Sequence, residues 1–119
     1  MSLIGVDKNE TLTYVSVNDK GEPKTIFVIG VLTNAQRMAV IKDMVDASGN
    51  VDSAKMQELS PKIFVMGVRS ILGLIIGDKP IDISPVTEES LEMIPAMVVP
   101  EVAAKVIEFN FFSRQEQKN

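Results

Sequence analysis

The chain has 119 residues, a formal net charge of −4 and no cysteine, histidine or tryptophan. The lack of cysteine excludes disulfides and thiolate chemistry, and the lack of histidine removes the commonest general base and metal ligand. No run of basic residues is present, so the sequence lacks the electrostatic signature of a nucleic-acid-binding protein. A chain of this length fits a single domain, and its composition favours a protein that is not an enzyme and needs no cofactor.

A β-hairpin is predicted over about residues 10–32. Residues 11–17 (TLTYVSV) and 24–32 are rich in β-branched side chains, and the turn-forming sequence NDKGEP lies between them at 18–23. Because a two-stranded hairpin is marginally stable alone, one of its faces is expected to rest on helices or to pair with another chain.

An amphipathic helix is predicted next, over residues 34–47, with Thr33 as its N-cap and glycine and asparagine in the turn that ends it. Four apolar side chains recur at spacings of three and four and are expected to face the core: Met38, Ile41, Met44 and Val45.

The most hydrophobic stretch is predicted to be a central, buried helix. In residues 61–77 (PKIFVMGVRSILGLIIG), the only polar side chains from position 63 onward are Arg69 and Ser70. A helix that is apolar on all sides has to be buried. This one is short for a bilayer span and carries an arginine near its middle, so no membrane is expected. Arg69 either extends to the solvent or forms an ion pair between subunits.

Pro61 leaves two arrangements for the residues before the central helix. Ser60 followed by proline favours a restart, with serine as the N-cap and proline at the first helical position. A single kinked helix is the alternative, at a cost of about 3 kcal/mol. Either arrangement predicts helical structure over residues 53–77.

Two more helices are predicted, over residues 87–94 and 98–112, followed by a frayed tail at 113–119. The fold is therefore expected to be α+β, with an N-terminal β-hairpin followed by a mostly helical bundle of about four helices in one domain. One stripe of the last helix is expected to be buried: Val99, Val102, Ala103, Val106 and Phe109.

Two groups of acidic side chains resemble sites of known chemistry, but helix ends explain both better. Residues 46–52 alternate oxygen-bearing side chains like a calcium loop, yet Val51 and Gln57 stand where that loop needs glycine and glutamate. Glu88 and Glu92 would lie one turn apart like an acid–base pair, but nothing else converges on them, and negative charge near a helix N-terminus is stabilising.

Three local patterns occur in an order that is typical of one protein family. Residues 26–37 (IFVIGVLTNAQR) match a strand, then Leu-Thr, then a helix that starts with Gln/Glu-Arg. Residues 94–110 match an apolar residue and proline before an amphipathic helix that ends in asparagine, and residues 113–119 (SRQEQKN) match a Ser-x-x-Glu-x-Lys-Asn ending. In these features the chain resembles tail assembly chaperones of long-tailed, siphovirus-like bacteriophages. Val31 departs from the proline that is frequent before Leu-Thr.

The resemblance implies a non-enzymatic protein of the host cytoplasm that is absent from the mature virion. Such a protein binds and solubilises the tape-measure protein and helps recruit tail-tube subunits. A homo-oligomer is a separate expectation, because the edge strands of the hairpin invite pairing with another chain. In many of these phages a ribosomal frameshift yields a longer product, which would diverge here after Ser113. Five apolar residues are candidate partner contacts, although each also fits a core position: Ile71, Leu74, Ile75, Phe111 and Phe112.

Two other functions fit the same sequence. A virion structural protein, such as a minor tail or tail-completion subunit, would use the exposed hairpin to extend neighbouring sheets. A small ligand-binding domain is the second alternative. Presence in purified virions would favour the first, and a ligand-dependent gain in stability would favour the second.

Overall fold

Four antiparallel strands and the helices that cover one of their faces form the domain. The computed structural model describes residues 2–3 and 5–111. The elements are, in chain order, β1 (Thr11–Tyr14), β2 (Ile26–Gly30), α1 (Asn34–Met44), α2 (Ser53–Gly67), β3 (Val68–Ile76), β4 (Lys79–Ile83), a 3-10 helix (Glu88–Met93) and α3 (Val98–Phe111). The strands are ordered β1-β2-β3-β4 in one sheet, so the predicted α+β class is confirmed.

The N-terminal hairpin is confirmed, with β1 antiparallel to β2 and Thr11 opposite Gly30. Its first strand ends at Tyr14, three residues earlier than predicted. Beyond the strand, the backbone N–H of Val17 bonds to a carboxylate of α3 and not to β2, and the side chains of Ser16 and Asn18 donate to the same carboxylate.

The predicted central helix over 53–77 is wrong in its second half. The helix ends at Gly67, and Val68–Ile76 is the third strand, between β2 and β4. Two irregularities in the pairing of β3 insert extra residues, so its buried side chains Val68, Ile71 and Leu74 are three residues apart. This spacing imitates a helical period. A helical bundle does not follow the hairpin, because β3 and β4 complete the sheet.

Pro61 lies inside α2, so the predicted restart is wrong and the helix is continuous. Its N-cap is Asp52, whose carboxylate accepts hydrogen bonds from the backbone of Ala54 and Lys55 at 2.9 and 3.3 Å. Proline has no N–H to give the preceding turn. One residue before it, Ser60 donates its hydroxyl to the carbonyl of Met56.

Helix α1 begins as predicted but faces the core differently. Thr33 forms a capping box with Gln36, which confirms the N-cap. Only Val40 and Met44 of this helix are buried, and Met38 and Ile41 are 57% and 41% exposed. The predicted stripe is therefore wrong for these two residues. The reason is that α1 packs against α2 at the periphery and does not lie across the sheet.

The core lies between the sheet and the α2–α3 pair. Phe27 of β2 and Phe64 of α2 meet edge to face, with ring centroids 6.0 Å apart. The two helices approach so closely that a Cβ at Gly67 would lie 2.2 Å from a methyl group of Val106. The predicted stripe of α3 is confirmed, since Val102, Ala103 and Val106 are buried and Val99 and Phe109 pack against the core. Residues 112–119, with the predicted frayed tail, lie outside the described residues.

Candidate partner-binding surface

The sheet has two faces, of which α2 and α3 cover one. None of the described helices packs on the other, which we term the outer face. Pairing across the strands places Thr13, Val28 and Ser70 in one row of it, and Ile26 and Leu72 in the next. The outer face consists of Thr11, Thr13, Ile26, Val28, Gly30, Arg69, Ser70, Leu72, Ile75, Pro80 and Asp82.

The centre of the outer face is apolar. Leu72 and Ile75 of β3 are 39% and 51% exposed, and Ile26 and Val28 of β2 are half-buried beside them. Neighbouring apolar side chains that remain accessible on a sheet face indicate a surface that another element can cover.

Arg69 lies at one end of the outer face. It is the extra residue of the first irregularity in β3, and it crosses over Gly30, where a Cβ would be only 2.2 Å from its Nε atom. The guanidinium donates to the carbonyl oxygen of Met66 at 3.2 Å and to that of Val31. The side chain thus reaches the exposed surface, and its ion pair with another subunit stays a prediction.

The five predicted contact residues do not share one surface in the structure. Ile71 and Leu74 are 0% and 8% exposed on the core face of β3, so they are not accessible in the folded monomer. Ile75 lies on the outer face, where it joins Arg69. Phe111 packs partly buried against the core at the end of α3, and Phe112 is outside the described residues.

Sequence reasoning missed Ile26, Val28 and Leu72. The signal for Ile26 and Val28 was the alternation in IFVIG, where Phe27 and Ile29 point to the core and Ile26 and Val28 do not. Leu72 was missed because β3 was assigned to a helix. That alternation identifies two faces of a strand, but not which of them a helix leaves uncovered.

A shallow groove of about 250 Å³ runs between α2 and α3. Its lining is mainly small and apolar: Ser53, Met56, Gln57, Ser60, Ile63, Pro100, Ala103, Ala104 and Ile107. The volume is slightly below the range of about 300–1,000 Å³ that is usual for small-molecule pockets. In the small-ligand alternative, this groove could hold the ligand.

Glu101, in the first turn of α3, accepts hydrogen bonds from the N-terminal hairpin and the residues that follow β1. Its carboxylate accepts hydrogen bonds from the hydroxyl of Tyr14, the hydroxyl of Ser16 at 2.7 Å, the backbone N–H of Val17 at 2.9 Å and the amide of Asn18 at 3.0 Å. Desolvation opposes its ionisation, but these hydrogen bonds outweigh it and lower the pKa of Glu101 below its ordinary value.

The same contact raises the pKa of Tyr14, whereas it lowers that of Glu101. Desolvation, the hydrogen bond to Glu101 and the negative charge of that carboxylate raise the pKa of Tyr14 to about 12. The Nζ atom of Lys105 also lies 5.5 Å from the centre of the Tyr14 ring. All of these contacts fasten β1 to α3. No local pattern could reveal them, because the partners of Glu101 are 83–87 residues away in sequence.

The remaining acidic side chains of interest occupy turns and exposed positions. Asp46 accepts hydrogen bonds from the backbone of Ser48 and Asn50 at 2.8 and 3.0 Å, as a turn does. Glu88 and Glu92 are exposed on the 3-10 helix.

Among residues 2–3 and 5–111, no cluster of acidic side chains could hold a metal ion. Within the same residues, no helix has the length and hydrophobicity to cross a bilayer.

No protein-family model, curated protein or solved structure matches the chain. Function is therefore inferred from the outer face, the groove and the Glu101 contact. Of these, the outer face combines the largest exposed apolar side chains with residues that the sequence already indicated, Ile75 and Arg69.

Proposed function

We propose that the chain is a tail assembly chaperone of a long-tailed bacteriophage, which binds apolar segments of the tape-measure protein and helps bring tail-tube subunits to it. It acts through protein contacts, without catalysis, in the host cytoplasm, and it is absent from the mature virion. The observation that carries the proposal is the apolar centre of the outer face, which no described helix covers. The three sequence patterns that resemble this family supply the partner.

The outer face has the dimensions that a helical partner needs. Its apolar side chains lie on β2 and β3, with Pro80 on β4 beside Ile75. Three neighbouring strands about 4.8 Å apart give a strip roughly 10 Å wide. This matches the diameter of an α-helix with its side chains, about 10–12 Å. The apolar stripe of a long amphipathic helix can therefore rest on Leu72 and Ile75, as the helices α2 and α3 rest on the other face.

Each contact of this kind is weak by itself. Leu72 and Ile75 are about half exposed, so covering them contributes about 1 kcal/mol apiece. One copy is expected to bind a single helical segment with low affinity. A long partner that offers many such segments binds many copies, and its apolar surface is then shielded along its length.

The proposal is tested by co-expression with the tape-measure protein of the same phage. We expect light scattering on a sizing column to show a soluble complex with many copies of the chain per partner. A partner that stays insoluble, or a chain that elutes alone, would contradict the chaperone function. Detection of the chain in purified virions would favour the structural-subunit alternative instead.

The outer face itself is tested with the double variant Leu72→Ser/Ile75→Ser. Because both side chains are already about half exposed, we expect the variant to fold and to lose the complex. The matched control is Met38→Ser/Met97→Ser, which removes two apolar side chains that are 57% and 72% exposed elsewhere on the domain. The control should bind like the unaltered chain. If the outer-face variant binds normally, the partner uses another surface.

A further inference from the structure

The two edge strands of the sheet differ in their protection against pairing. β4 carries Lys79, Pro80 and Asp82, and charged residues and proline on an edge oppose the addition of another strand. β1 is Thr-Leu-Thr-Tyr, without charge or proline, and the chain remains uncharged to Val17. Among the described residues, only β2 pairs with β1. Within residues 2–3 and 5–111, the other side of β1 carries no strand.

β1 is also held in a fixed position. The Glu101 carboxylate binds Tyr14 at the end of the strand and Ser16, Val17 and Asn18 directly after it. A strand that is already ordered loses less conformational entropy when it pairs than a mobile one does. The contact with α3 therefore lowers the entropy cost of pairing β1 with another strand.

We propose that two copies of the chain associate by antiparallel pairing of β1 with β1 of the second copy, which joins the two sheets into one of eight strands. A strand paired with its own copy forms a self-complementary contact about a two-fold axis. Each chain carries a net charge of −4, and the uncharged β1 is an edge where two copies meet without placing like charges opposite each other.

The pleat of the strand restricts the register. Leu12 points to the helix side of the sheet and Thr13 to the outer face, and a continuous sheet requires opposed residues to share a face. A residue must therefore lie on the two-fold axis, and the registers that pair most of β1 place Leu12 or Thr13 there. Leu12 is 37% exposed in β1, and pairing covers part of its apolar surface.

An axis perpendicular to the sheet leaves both outer faces on the same side. Eight strands at about 4.8 Å spacing give a sheet roughly 34 Å wide between its outermost strands. The dimer would then present two outer faces side by side to one long helical partner. This last consequence rests on the proposed function, whereas the pairing of β1 does not.

The test measures the mass of the full chain alone in solution, by sedimentation equilibrium, without any phage partner. We expect twice the mass of one chain. The variants Thr11→Lys/Thr13→Lys and Thr11→Glu/Thr13→Glu place like charges across the axis in either register, and each should weaken the dimer about tenfold or more. An equimolar mixture of the two variants should restore the dimer, because opposite charges then face each other.

The matched control is Ala35→Lys/Ala39→Lys, which adds the same charge at exposed positions of α1 and should leave the dimer unchanged. Circular dichroism verifies that each variant folds, and the restored dimer in the mixture cannot arise from unfolded chains. A monomer at concentrations of about 100 μM, charged variants that remain dimeric, or a mixture that stays monomeric would overturn the proposal. These masses are measured without a partner, so they do not decide whether the outer face of a monomer binds one; the variant Leu72→Ser/Ile75→Ser tests that separately.

Discussion

The substitution Ile71→Ala is expected to lower the free energy of unfolding by about 3 kcal/mol. Ile71 is fully buried in the middle of β3, opposite Phe27 of β2 and Ile83 of β4. Removing its side-chain carbons loses their transfer free energy and leaves a cavity that the two neighbouring strands cannot fill. Urea unfolding followed by circular dichroism measures the change.

Ile75→Ala is the matched control, since it makes the same change on the same strand. Ile75 is 51% exposed on the outer face, and its loss should cost less than about 1 kcal/mol. Partner binding is expected to respond in the opposite order, with Ile75→Ala weakening it. Equal destabilisation by the two substitutions would show that the two faces of β3 are assigned incorrectly.

Features that depend on neighbours in sequence could be predicted. The hairpin followed from two β-branched runs around a dense turn sequence, and Thr33 was recognisable as an N-cap from its residue type directly before the helical pattern. The structure adds a capping box with Gln36. The buried stripe of α3 followed from its helical period. In each case, residues a few positions apart carry the whole signal.

The periodicity of the apolar residues could not show that β3 is a strand and not part of a helix. Its irregularities place Val68, Ile71 and Leu74 three residues apart, and Gly73, with φ of 72°, permits the second irregularity. A short apolar run with this spacing fits a buried helix and a buried strand equally well. Only the tertiary arrangement, with β2 on one side and β4 on the other, decides between them.

The candidate surface was partly predictable for a related reason. Ile75 and Arg69 stood out because they interrupt or extend an apolar run, but the faces of β3 were unknown while it was assigned to a helix. Val28 and Leu72 become neighbours on the outer face only because β2 pairs with β3. This pairing joins residues that are more than forty positions apart in sequence. The partners of Glu101 are more distant still.

Glu101→Ala is expected to destabilise the domain by about 2–3 kcal/mol at neutral pH. The substitution removes the common acceptor of four donors and leaves the partly buried hydroxyls of Tyr14 and Ser16 without their partner. The matched control is Glu58→Ala, which removes an exposed carboxylate from α2 and should change stability by less than about 0.5 kcal/mol. Equal effects of the two substitutions would contradict a structural role for the Glu101 contact.

The pH dependence identifies the ionised carboxylate as the cause. The pKa of Glu101 in the folded chain lies below its ordinary value of 4.5, so its stabilising effect is complete above pH 4.5 and is lost as the pH falls through the folded-state pKa. The stability difference between the unaltered chain and Glu101→Ala should therefore be constant from neutral pH to about pH 5 and shrink below it.

The other limit is set by Tyr14, whose pKa is raised from 10.0 to about 12. Its contribution to stability is therefore complete below pH 10 and is lost as the pH rises through 12. Urea unfolding across this pH range checks both limits, and a difference that does not shrink in acid would mean that packing, and not charge, holds β1 against α3.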